Sequence, residues 1–393
     1  MMEIALLLLP VAAVSGWLAA KRSDRKQRAD SAETDKNPDY FQGLNYLLNE
    51  QPDKAIDVFV QMLEVDGETV ETHLALGALF RRRGEVERAI RIHQNLVARQ
   101  TLGRNQRAQA LLELGKDYMR AGVFDRAESL FIELTEMNQY SEQALRNLRV
   151  IYQQEKDWFK CLEVASKLES LTGEALHTER AHYYCELAKI ARSYKDYTRT
   201  ASMLKKAQEC DPDCVRATIA QADMEAERQD YRMAIQAYKG VERQDPELIS
   251  EILPSLIECY KKLDSRKELL TYLRALFDRQ KSIATMLALA ALIQEDEGDQ
   301  AAAEFITGYL RNHPSLDGLN QLILLNQKNA PESAAGLFSI LHQQIGQLLK
   351  KRPSYQCKQC GLAVKTMHWQ CPGCKSWDSI KPLLGLAGDG PKD

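Results

Sequence analysis

A pattern that returns about every 34 residues constrains this chain more than anything else in it. Gly43-Leu44-x-Tyr46, Leu76-Gly77-x-x-Phe80 and Leu114-Gly115-x-x-Tyr118 are each followed by a turn and then by a small residue, Ala55, Ala89 and Ala127. Four positions further on stand Phe59, His93 and Phe131. Weaker copies continue the series: Leu148, Tyr152 and Cys161; Leu187, Ala188 and Thr200; Ala222, Ala234 and Tyr238; Leu256, Tyr260 and Leu273; Ala290 and Ala302. The small-residue positions at 55, 89, 127, 161, 200 and 234 are 34, 38, 34, 39 and 34 residues apart. The two long steps therefore hold insertions of four or five residues, near 101–104 and 171–174. The pattern predicts antiparallel helix pairs that cross closely at the small residues. Gly84 and Gly122 fall where each pair must turn through a left-handed conformation. Such a pair cannot bury its apolar face alone, so successive pairs must stack.

These residues resemble the tetratricopeptide repeat. The resemblance implies an all-α superhelix over residues 37–351, of about eight to nine helix pairs with the last ones degraded. In such arrays the first helix of each pair lines a concave groove. Carried onto this chain, the second repeat offers Leu74, Arg81 and Arg82, and the third Leu112, Lys116, Met119 and Arg120. The fourth adds Arg146 and the fifth Lys189 and Arg192, while the sixth is mixed, with Arg216, Asp223 and Glu227. A basic groove with apolar spots suits an acidic protein partner. The competing reading is that these are solvated charges on long helices.

The N-terminal residues add a second constraint. Ile4 to Ala20 carries no charge, and as a helix those residues would span about 26 Å, the lower limit for a bilayer. Lys21, Arg22, Arg25, Lys26 and Arg28 follow directly, which by the positive-inside rule keeps everything after them in the cytoplasm. A cleaved signal would carry its positive charge before the apolar run, where only Met1, Met2 and Glu3 stand. Residues 1–20 are therefore expected to be a transmembrane anchor. Residues 21–36, with no apolar side chain larger than alanine, are expected to be a basic polar linker.

Nine cysteines are distributed unevenly, four within eighteen residues and five singly. Cys161, Cys185 and Cys259 read as small apolar fillers in helices. Cys210 and Cys214 bracket a turn and have no further ligand nearby in sequence. The cluster is Cys357-x-x-Cys360, a ten-residue gap, then Cys371-x-x-Cys374. Each C-x-x-C turn aims two thiolates at one ion, and four close a tetrahedral site that suits zinc or iron. The region 352–382 is too small to bury a core, so a metal is expected to let it fold. Tyr355, Trp369 and Trp377 either cover the sulfurs or pack on neighbouring helices. His368 is a spare nitrogen beside a complete ligand set. Residues 383–393 read as a flexible tail. A net charge of -3 argues against a nucleic-acid protein. No phosphate loop, GxSxG or HExxH stands out, so no enzyme is expected.

The knuckles resemble those of rubredoxin, with a shorter gap and with Lys375 where the second knuckle's glycine would stand. That departure favours a structural site over electron transfer. Taken in order, the anchor, linker, repeats and the segment YQCKQCG…HWQCPGCKSWDSIKP resemble the lipopolysaccharide assembly protein B family of Gram-negative bacteria. The resemblance implies a single-pass protein of the bacterial inner membrane with its repeats and metal domain in the cytoplasm. It implies partnership with an FtsH-type membrane protease, with the UDP-3-O-acyl-N-acetylglucosamine deacetylase of the lipopolysaccharide pathway, and with an inner-membrane lipopolysaccharide-sensing protein. The implied role is an adaptor that brings the deacetylase to the protease. Two rival readings stay open: a scaffold of synthetic enzymes that directs no proteolysis, and an iron redox protein.

Overall fold

The computed structural model describes residues 70–383 apart from 101, 329 and 330, together with a few positions between 42 and 58. The expected anchor, linker and tail lie outside the described residues, Leu383 excepted. Among the described residues no helix is long and apolar enough to cross a membrane. The described residues are mostly helical and divide into two compact units, with the division after Lys156 apart from Ser170–Thr172, which group with the first.

The first unit contains Val70–Arg83 (α1), Val86–Val97 (α2), Arg104–Ala121 (α3), Phe124–Glu136 (α4) and Ser141–Glu155 (α5). Ala55, Ala89 and Ala127 are fully buried, as are His93 and Phe131 four residues after the last two. The reason is close approach. A Cβ placed on Gly115 would lie 2.6 Å from Phe131 Cε1, and one on Gly77 would collide with the His93 ring. The glycine in the first helix thus makes room for the large ring in the second. His93 differs from Phe131 in needing a polar partner. Its Nδ1 lies 2.5 Å from Oδ2 of the equally buried Asp117, which also accepts from Arg81 at 2.7 Å. A buried carboxylate is tolerated here because two donors satisfy it.

The second unit continues with Trp158–Thr172 (α6), His177–Ser193 (α7), Tyr197–Cys210 (α8), Val215–Glu227 (α9) and Tyr231–Gln244 (α10). A 3-10 turn at Pro246–Leu248 leads into Ile249–Lys262 (α11). Then follow Arg266–Gln280 (α12), Ile283–Glu297 (α13), Asp299–Leu310 (α14), Leu316–Lys328 (α15) and Glu332–Lys351 (α16). One core cluster is built from α9 to α13 around Tyr238, Leu256, Tyr260 and Leu273. Thr200, Ala234 and Ala302 fill the small-residue positions and are buried.

The turns within pairs share one device. Gly84, Gly122 and Gly298 have positive φ, and so do Lys156, Lys195, Gln229 and Asp264 at the equivalent places. Glycine is therefore dispensable there, at a cost of about 1 kcal/mol per L residue. Asp157, Asp196 and Asp230 follow three of these residues and cap the next helix by accepting from the amides of Lys160, Arg199 and Met233. Each insertion is followed by a longer first helix, although Leu102, Gly103 and Gly173 themselves stay outside helix. In α3 Leu114 stands ten residues after the first helical residue, against seven for the equivalent Leu148 in α5, which is about one added N-terminal turn. Leu187 in α7 is likewise ten residues in.

The close crossing at Gly115 is open to a direct check. Gly115→Ala is expected to destabilise the first unit by about 1–3 kcal/mol in chemical denaturation, because the methyl group meets a fully buried ring. Trimming the ring in the same chain, Phe131→Leu, is expected to recover part of that loss relative to the two single changes.

Candidate metal centre and its seat on the repeats

Three short strands frame the C-terminal knuckle: Tyr355–Cys357 (β1), Ala363–Val364 (β2) and Ile380–Pro382 (β3). They form an antiparallel sheet in the order β2-β1-β3, with Tyr355 opposite Val364 on one side and Pro382 on the other. The helical repeats therefore end in a small β element, which an all-α reading does not contain. Each C-x-x-C turn closes on its own backbone: Gly361 N donates to Cys357 O, and Lys375 N donates to Cys371 O, both at 2.9 Å. Gly361 has φ 75° and Lys375 φ 62°. Lys375 thus adopts the left-handed conformation of the glycine it replaces, so the second turn keeps its shape.

The four sulfurs of Cys357, Cys360, Cys371 and Cys374 lie within 4.8 Å of one another. Cys357 and Cys374 Sγ are 3.7 Å apart, as are Cys360 and Cys371 Sγ. Four sulfurs at about 2.3 Å from a tetrahedral ion have edges of about 3.8 Å, so the donor set fits a zinc-like or iron-like ion. Burial opposes ionisation of Cys357, but Ser379 Oγ at 3.4 Å and the amides of Cys360 and Gln359 outweigh it and bring the thiol down to about 6. The Ser376 hydroxyl and amide lower Cys374 as well. Two of the four ligands are thereby predisposed to the thiolate form that a metal requires. Among the described residues no other group of His, Cys, Asp or Glu gathers in this way. His368 is exposed and stands 2.9 Å from Thr366 Oγ1, outside the cluster.

The two tryptophans seat the knuckle on the helices, while Tyr355 packs on the small core of Cys357, Cys371 and Ile380. Trp377 stacks on His182 of α7 with ring centres 4.8 Å apart and planes 17° apart. It also meets Trp158 of α6 and Tyr183 of α7 edge-on, at 6.3 and 6.0 Å. The Arg216 guanidinium of α9 lies 5.9 Å from the Trp369 ring and 5.8 Å from Trp377. It donates to Glu186 at 2.6 Å, which leaves its charge paired in this buried place. Met367 and Trp369 pack against the core cluster of α9 to α13. At the other side Tyr355 OH donates to Glu251 at 2.9 Å, and Lys381 Nζ to Asp245 at 2.6 Å. Knuckle and helices α6 to α11 form one packed body.

The sequence-predicted groove is redistributed by the structure. Arg81, Arg82, Lys116 and Arg120 do line one open groove of about 430 Å³, with Met119 and Asn147. Arg81, however, is held by Glu113 and Asp117 at 2.5 and 2.7 Å, and Lys116 by Glu113 at 2.7 Å. Arg146 pairs with Glu142 at 3.0 Å. In the second unit Arg192 pairs with Asp223 and Glu227 at 3.3 and 2.7 Å, and Lys189 is exposed on the same helix. Leu74 and Leu112 belong to the core rather than the groove, and Arg216 belongs to the knuckle's seat. His182, Trp158, Asp245 and Glu251 had no motif to announce them. Only Trp369 and Trp377, large rings on a segment too small to bury them, hinted that a platform existed.

Residues 355–382 match the family described as rubredoxin metal binding domain, and residues 72–108 match the tetratricopeptide repeat. Over its whole length the chain is similar to lipopolysaccharide assembly protein B of Escherichia coli K12, with 38% identity across 99% of this chain and 100% of that one. The chain belongs to the lipopolysaccharide assembly protein B family. The protein of that name from Haemophilus influenzae is 35% identical over 98% of both chains. Among solved structures, a tetratricopeptide repeat protein from Parabacteroides merdae covers 73% of this chain and 97% of its own. It does so at 11% identity and a TM-score of 0.32, too low to carry any argument.

The seat makes a pH prediction. Burial, then the charges of Arg216 and Lys381, hold His182 down to about 3 against 6.5 for a free imidazole. The imidazole is thus neutral while the knuckle is docked and can take a proton when it leaves. Docking is at full strength above 6.5 and weakens as pH falls below it. Between pH 7.5 and 5.5 the loss is expected to reach about 1.4 kcal/mol, tenfold in the docking equilibrium. Hydrogen exchange of the β1 and β3 amides would report it, and His182→Phe, which keeps a ring beneath Trp377, is expected to flatten this dependence.

Proposed function

We propose that the protein is a non-enzymatic adaptor of the bacterial inner membrane that controls lipopolysaccharide synthesis by delivering the pathway's UDP-3-O-acyl-N-acetylglucosamine deacetylase to an FtsH-type protease. The observation that carries the reading is full-length membership of a family named for lipopolysaccharide assembly, in a chain built of protein-binding repeats. The uncharged run at residues 4–20 would tether the repeats to the membrane plane, which raises the effective concentration of substrate and protease for each other. An inner-membrane protein that reports lipopolysaccharide status would then act on this adaptor.

Within that reading the knuckle is a structural element. Cys357, Cys360, Cys371 and Cys374 would hold one zinc or iron ion and leave no corner of the tetrahedron open to a substrate. The ion would supply fold stability to a segment without a core of its own. The groove of the first unit is the proposed landing place for an acidic face of a partner. There Arg82 and Arg120 carry the function, since Arg81 and Lys116 are engaged with Glu113.

The experiment is partner capture from membranes together with the lifetime of the deacetylase. Arg82→Glu with Arg120→Glu is expected to lower capture of one partner at least tenfold and to lengthen the deacetylase half-life, with the fold unchanged. An unchanged half-life on depletion of the protein itself would point instead to a scaffold that directs no proteolysis. Unchanged capture by the double variant would remove the groove from the account.

A further inference from the structure

The last helix of the array, α16, has an apolar surface wider than the described residues cover. Phe338, Ile345 and Leu349 are buried or half-buried, and His342 Nδ1 lies 2.8 Å from Asn320 Oδ1 on α15. Beside that covered face stand Leu337, Ile340, Leu341 and Leu348, exposed at 60, 58, 40 and 56%. In a stacked array the next helix would cover such a face, and terminal helices are normally polar outside. Here the chain turns away after Lys351, and the knuckle that follows packs on α6 to α11 instead.

The spacing of the open face says what kind of surface fits it. Leu337, Leu341, Gln344 and Leu348 are separated by 4, 3 and 4 residues, the repeat of a coiled-coil seam. The partner is therefore a helix. The same spacing is symmetric about the point between His342 and Gln343, so the seam is complementary to itself when run antiparallel. Leu337 of each copy then faces Leu348 of the other, and Leu341 faces Gln344. Charge selects the same direction. Lys350, Lys351 and Arg352 end the helix; a parallel pair would press the two basic ends together, whereas an antiparallel pair sets them about 25 Å apart. The seam itself holds no carboxylate and only Lys351 at its end. Two-fold contacts of one patch with itself are the commonest way for a chain to oligomerise.

We propose that α16 is a homodimer interface in which two copies of this chain pair antiparallel through Leu337, Leu341, Gln344 and Leu348. The three leucines, with Ile340 beside them, offer roughly 400 Å² per copy, about half of a standard interface. The dimer is accordingly a reversible one, half-formed between about 1 and 100 µM. It gives the adaptor two repeat arrays per assembly without using the groove of the first unit or the metal centre.

Sedimentation equilibrium of the detergent-solubilised full-length chain across that range tests it. The wild type is expected to show a concentration-dependent shift from monomer to dimer mass. Leu341→Glu with Leu348→Glu, both at exposed positions, is expected to weaken association at least tenfold while leaving the melting temperature unchanged. Leu337→Glu and Leu348→Lys are each expected to be monomeric alone and to associate when mixed, because the two new charges meet across the seam. A wild type that stays monomeric to 100 µM overturns the proposal. So does a double variant that dimerises like the wild type, or a mixture that associates no better than its components.

Discussion

A segment of 28 residues cannot bury enough apolar surface to offset the entropy of ordering it, and the C-terminal knuckle meets that deficit from two sides. Inside, four cysteine sulfurs converge at tetrahedral spacing and offer a metal cross-link in place of a core. Outside, Trp369 and Trp377 leave the knuckle and complete the core of the helices, against His182, Arg216, Trp158 and Tyr183. Neither part suffices alone. Without the cross-link nothing positions the tryptophans, and without the platform two large rings would stand in water.

The dependence runs in the other direction too. The platform holds Arg216 and the neutral His182 in a buried place, and both are tolerable there only while aromatic faces and Glu186 surround them. The ion pair of Lys381 with Asp245 and the bond of Tyr355 to Glu251 fasten the other edge of the knuckle to the entrance of α11. An array whose helices would otherwise touch only their neighbours gains contacts between residues more than a hundred positions apart. Such contacts turn part of a linear stack into a cooperative body. For an adaptor this stiffness holds whatever docks on the helices in a set position.

What could be read from the sequence follows the range of the interactions. The small-residue positions were legible because each is forced by a crossing within one helix pair, as Gly115 and Phe131 illustrate. The cysteines were legible because their spacing is local. The insertions were located by counting, but not that each would add a turn to α3 and α7, since helix continuation depends on what the added turn packs against. Arg81 does line the groove, but its pairing was not legible because its partners, Glu113 and Asp117, lie 32 and 36 residues on. His182 and Asp245 had no local signal at all. Their importance arises from a fold that brings residues 369–381 back to them.

The central claim is that metal, knuckle and helices form one cooperative unit. Hydrogen exchange of the full-length chain before and after the ion is removed by a chelator tests it most directly. Loss of protection is expected across residues 355–382 and also on α7 and α9, where His182 and Arg216 are uncovered. A loss confined to residues 355–382, with α7 and α9 as protected as before, would contradict the account.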